Sequence, residues 1–113
     1  MAFISRRIWY DRQKILGLIS VFGKVEDHRE VYKLLVEAKK AEPLLDFRYD
    51  LREYVRFSAD EGFVHDDIEA LTSLGYLEET ESLKLTRFGK DYLKKSARSI
   101  SKDIEVFRKI NQS

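Results

Sequence analysis

The residues of this 113-residue chain that could do chemistry fall into two groups. The first is cationic. Arg48, Arg52 and Arg56 stand at i, i+4 and i+8, so a helix there would place three guanidinium groups on one face. Lys84 and Arg87 follow, then Lys90, Lys94, Lys95, Arg98 and Lys102. Cations in rows neutralise phosphate, and phosphate neutralisation supplies most non-specific affinity for nucleic acid. The second group is the two histidines and the carboxylates. His28 and His65 are far apart in sequence and lack the i, i+4 spacing of a helical metal site, so both read as solvated and no metal is expected. The carboxylates sit on polar faces without an apolar pocket to raise a pKa. With no glycine-rich phosphate loop and no nucleophile elbow, neither an enzyme nor a cofactor is expected.

The formal net charge is only +1, but the charge is segregated. From Ala59 to Leu83 there are acids (Asp60, Glu61, Asp66, Asp67, Glu69, Glu78, Glu79, Glu81) and no bases. From Lys84 onward, bases outnumber Asp91, Asp103 and Glu105 three to one. Such asymmetry bears on partners rather than fold. Two surfaces follow: a basic one for DNA, and an acidic one at Asp66, Asp67 and Glu69 for a basic protein partner. The chain has no Cys, which fits a reducing compartment, and its longest uncharged run, Ile15 to Gly23, is far short of a membrane span. A cytoplasmic protein is the expectation, with no membrane.

Several elements must position these groups. Ile15, Leu16, Leu18, Ile19 and Phe22 repeat at helical spacing up to Gly23, a natural stop. Asp27 can cap a second helix with Val31, Leu34, Leu35 and Ala38 on one face, ended by Pro43. Residues 46–57, "DFRYDLREYVRF", alternate at Phe47, Tyr49 and Leu51 as a strand would, but the longer stretch favours a helix, and that helix would align the three arginines. Val64, Ile68, Leu71 and Leu74 stripe the next helix, ended by Gly75; "YLEETESLKLT" then reads as a β-hairpin turning near Thr80 and Glu81. Thr86 can cap a long final helix. From Leu93 its apolar residues Ala97, Ile100, Ile104 and Phe107 follow a 4-3-4-3 spacing. That is an a/d seam, read here as a homodimer interface, the alternative being packing on Ile8, Trp9, Ile15 and Ile19 of the same chain.

The order helix, helix, helix, "LGYLEE", hairpin, "LTRFGKDYLKK" resembles a winged helix-turn-helix domain. More narrowly, "DRQKILGLISVFGKVEDHREVYKLLVEA" followed by Phe47, Tyr49 and Tyr54 is similar to YwgA-like and Panacea antitoxin-like proteins over residues 11–93. Where that group has a "YGPYS"-type turn, this chain has Tyr54-Val55-Arg56-Phe57-Ser58, without Gly or Pro. The resemblance implies a scaffold that binds DNA or a protein partner, and no catalytic residues. The fold expected is mainly α (α+β): a winged helix over 1–93, with a small hairpin wing, and a C-terminal dimerisation helix over 94–113. The function expected is a dimeric DNA-binding transcription regulator that holds double-stranded DNA through Arg48, Arg52, Arg56, Lys84, Arg87, Lys90 and Lys94. The alternative is an antitoxin-like or adaptor module that docks a basic protein through its acidic face.

Overall fold

A computed structural model of the chain describes residues 6–49, 51 and 59–112. Helix α1 (Arg6–Phe22) is followed by α2 (His28–Ala41), α3 (Ala59–Ser73), and strands β1 (Leu77–Glu79) and β2 (Leu83–Leu85). Then come α4 (Arg87–Ser96), a 3₁₀ turn (Ala97–Ile100) and α5 (Ser101–Asn111). The result is a compact, mainly helical domain with one antiparallel hairpin. Among the described residues no helix is long and apolar enough to cross a membrane.

Helix α1 is the axis of the domain. Its Ile15, Leu16, Leu18 and Ile19 are fully buried, because the other four helices and β2 all pack against it. The local signals that end and start the elements act as their chemistry dictates. Asp27 accepts the backbone N–H of Glu30 at 2.8 Å and caps α2, and the Thr86 hydroxyl accepts that of Gly89 at 3.0 Å and caps α4. Gly75, at φ +86°, closes α3 with paired bonds, Tyr76 N–H to Leu71 O and Gly75 N–H to Thr72 O. That left-handed turn is one a residue with a Cβ rarely adopts. In the hairpin Leu77 pairs with Leu85 and Glu79 with Leu83. A further residue joins it: Val25, between α1 and α2, exchanges both backbone hydrogen bonds with Leu83.

One expected element differs. Residues 42–49 are not helical. They form an irregular strap, with a turn at Pro43 and Leu44 and a bend at Arg48 and Tyr49, in which Leu45, Phe47 and Tyr49 are buried while Asp46 is exposed; Leu51 beyond it is buried as well. The alternation seen in the sequence is the periodicity that the tertiary structure uses, although the strap pairs with no strand among the described residues. Side chains replace a ladder in satisfying its backbone: Lys39 donates to Leu45 O, Lys14 to Asp46 O at 2.6 Å, and Asp11 accepts the Arg48 N–H at 3.1 Å. Arg52 and Arg56, and the rest of the stretch the helical reading covered, lie outside the described residues.

The long final helix that the sequence predicts is present, 25 residues from Arg87 to Asn111, with a 3₁₀ turn between α4 and α5 that ends at Ile100 (φ −120°, ψ 21°). Its apolar residues pack on α1, where a Cβ on Gly17 would lie 3.1 Å from Ile100 and 3.3 Å from Ile104. Leu93, Ile100 and Phe107 are buried in the chain's own core, with Ile104 packed beside them and Ala97 half-buried. The side chains of the seam expected for dimerisation thus pack on α1 of the same chain, the alternative that the sequence also allowed.

Candidate nucleic-acid interface

The basic residues separate into those the fold consumes and those it leaves in solvent. Arg48 is consumed. Its Nε donates to Asp11 at 2.8 Å and its terminal nitrogen to Asp67, which also accepts the Tyr49 hydroxyl and Arg12 Nε at 3.0 Å. Asp11 and Asp67 are 1% and 3% exposed, so α1, the strap and α3 are joined by an internal ionic network. Burial raises the Asp11 pKa against the opposing pull of Arg48, and it raises that of Tyr49, whose proton Asp67 holds. Two expectations change here. Arg48 is tied to carboxylates rather than offered to phosphate, and Asp67 is an internal acceptor rather than part of an acidic docking face. Asp66 and Glu69 do lie on the surface, although Glu69 is engaged by His65 Nε2 at 2.9 Å.

The cations left in solvent lie on the C-terminal half. Arg87, Lys90 and Lys94 are exposed and stand at i, i+3 and i+7 of α4, on one helix face. Lys90 and Lys94 form one wall of a cleft of about 510 Å³ between α1, α4 and α5. Leu93, Ala97 and Ile104 lie in its floor, and Arg108 of α5 contributes a further cation. Among the described residues no acid lines this cleft. Among the described residues no ion pair engages Arg87, Lys90, Lys94 or Arg108. Lys84, on the exposed face of β2, is partly neutralised across the hairpin by Glu78 at 3.6 Å.

The same helix carries an aromatic stack. Phe88, 58% exposed, lies on Tyr76 with ring centroids 5.0 Å apart, Tyr76 lies on Tyr92 at 4.6 Å, and Trp9 closes the group against Tyr92 at 5.8 Å. Gly89 lets α4 come this close: a Cβ there would sit 2.0 Å from the Tyr76 carbonyl oxygen. In the sequence Phe88 and Tyr92 are simply apolar residues of the final helix, and Arg108 is not singled out. The i, i+4 spacing of the two aromatics beside a cationic face was the available signal for the first pair. Nothing local marks Arg108, which reaches the cleft only through the fold of α5 onto α1. Compared with known families, curated proteins and solved structures, the chain matches none.

Proposed function

We propose that this is a winged-helix DNA-binding protein of regulatory type, and that α4 rather than the arginine stripe is its chief phosphate-contacting element. The topology supports the scaffold: helix, the Val25 strand residue, two helices, then a hairpin whose second strand lies between Val25 and β1. One observation carries the DNA reading, the row of exposed cations Arg87, Lys90 and Lys94 without an ion pair among the described residues, two of which, with Arg108, line a cleft where no described residue is acidic. Seven residues of helix rise about 10 Å, the axial span of roughly three phosphates of one strand. Exposed Phe88 beside this row offers an apolar surface to sugar or base.

Anisotropy of a labelled random-sequence duplex across a salt series tests the reading. Each phosphate contact contributes about 0.9 to the slope of log K against log salt, so four contacts predict a slope near −3.6, about a 150-fold loss of affinity from 50 to 200 mM. Changing Lys90 and Lys94 together to Ala should flatten the slope by about 1.8. Equal slopes for variant and wild type would remove α4 from the interface. Absence of binding at the lowest salt would favour the protein-partner reading. That reading rests on Phe63 and Leu74, 52% and 48% exposed on and just beyond an α3 that also shows Asp66 and Glu69 to solvent.

A further inference from the structure

The cleft between α1, α4 and α5 joins two chemistries. Leu93 and Ala97, one turn apart on α4, and Ile104 on α5 make an aliphatic floor, in which Leu93 is buried and the other two are half-buried. Around it stand Lys90 and Lys94, on successive turns of α4, and Arg108 on α5. All three are exposed, and among the described residues no ion pair engages them. Like charges at i, i+4 of a helix repel, and no described acid lines the cleft to relieve that repulsion. The fold thus keeps three cations around an apolar surface. An anion that brings apolar surface of its own satisfies both.

We infer that this cleft binds an aliphatic carboxylate, with Lys90, Lys94 and Arg108 holding the head group and Leu93, Ala97 and Ile104 covering the hydrocarbon chain. Its volume of about 510 Å³ is that of a small-molecule site, where an apolar lining carries a few charged or polar groups. Arginine can grip a carboxylate through two parallel N–H bonds, while lysine adds point charge. The floor selects the body of the ligand. A nucleobase or an aromatic acid takes a ring to stack on, and no aromatic residue lines the cleft among those described. Inorganic phosphate would leave the floor wet. The site itself does not depend on the DNA reading, but its consequence rests on it. A carboxylate held by Lys90 and Lys94 takes the cations assigned to phosphate, so ligand and duplex oppose each other's binding by the same factor.

Calorimetric titration of the full chain with sodium octanoate tests the site, with sodium hexanoate, 1-octanol and sodium phosphate beside it. Each methylene removed from water tightens binding up to about four-fold, so octanoate should bind up to about 15-fold tighter than hexanoate. Octanol and phosphate, each with half of the chemistry, should bind at least about ten-fold more weakly than octanoate, and so should octanoate to the Lys90→Ala, Lys94→Ala double variant. Should that variant lose its fold, as circular dichroism would reveal, Arg108→Gln gives the same comparison. In a methyl ¹H–¹³C spectrum the Leu93, Ala97 and Ile104 resonances should shift with octanoate, and those of Leu74, 48% exposed just beyond α3, should not. No octanoate binding, octanol binding as tight as octanoate, or shifts centred on Leu74 overturns the assignment, whether or not the chain binds DNA. With a labelled duplex, saturating octanoate should lower the anisotropy. Octanoate binding by a chain that binds no duplex at the lowest salt would sink the DNA reading and uphold the site; a duplex affinity that saturating octanoate leaves unchanged would overturn the opposition between the two.

Discussion

Replacing Asp67 by Ala removes the acceptor shared by Arg12, Arg48 and Tyr49. The Arg12, Arg48 and Asp67 side chains are 14%, 24% and 5% exposed, so water cannot fully take the place of the lost carboxylate. Arg48 keeps Asp11, but Arg12 Nε and the Tyr49 hydroxyl lose the partner that this network provides. Removing one member of a buried ion pair costs about 3–5 kcal/mol, because the remaining charge is left uncompensated. For a domain of this size roughly 4 °C of melting temperature accompanies each kcal/mol, so a fall of about 12–20 °C is expected. Urea and thermal unfolding followed by circular dichroism measure it. The network reading also requires non-additivity. Arg48→Met in the Asp67→Ala background should destabilise less than Arg48→Met alone, since the cation it removes has already lost one carboxylate. A loss below about 1 kcal/mol, with additive effects, would mean that Asp67 is solvated and belongs to the acidic surface after all.

Three further outcomes follow from the packing. Gly89→Ala, which in an ordinary helix interior gains up to about 1 kcal/mol, should here lose about 3 kcal/mol, since the new methyl collides with the Tyr76 carbonyl; unchanged urea denaturation would contradict that approach. Phe107→Ala should cost about 3–5 kcal/mol in the same assay without changing the sedimentation coefficient of the folded protein, whereas conversion of a dimer to a monomer would return Phe107 to an interface. Asp103→Asn tests linkage. Burial raises the Asp103 pKa above 3.8, with Lys14 at 3.7 Å opposing, so the fold favours the protonated acid. Its contribution is therefore fully present below about pH 4 and is lost as pH rises through the raised value. Melting the variant and wild type from pH 4 to 7 should show the difference moving in favour of Asn as pH increases; movement the other way would refute the assignment.

The element boundaries were legible in the sequence because they depend on groups three or four residues apart. Asp27 and Thr86 cap the helices they were expected to cap, Gly23 and Gly75 follow the helix ends, and the hairpin turns at Thr80 to Ser82. The surface position of Arg87, Lys90 and Lys94 was legible for the same reason, since helical spacing alone separates them from Leu93. Spacing could not show which polar residues the fold would use internally. Asp67 read as one acid in a run of acids, and only the approach of Arg12 from 55 residues away and of Tyr49 from 18 makes it a buried acceptor. The seam from Leu93 to Phe107 has a period that serves equally for a second chain or for α1. The close fit of Ile100 and Ile104 at Gly17 decided for α1. The contact of His28 with His65, 37 residues apart, has no local signature at all. Helix α1 and the strap that crosses it bring together charges that local periodicity places on separate polar faces, and a low-dielectric interior then binds those charges to one another instead of leaving them to solvent.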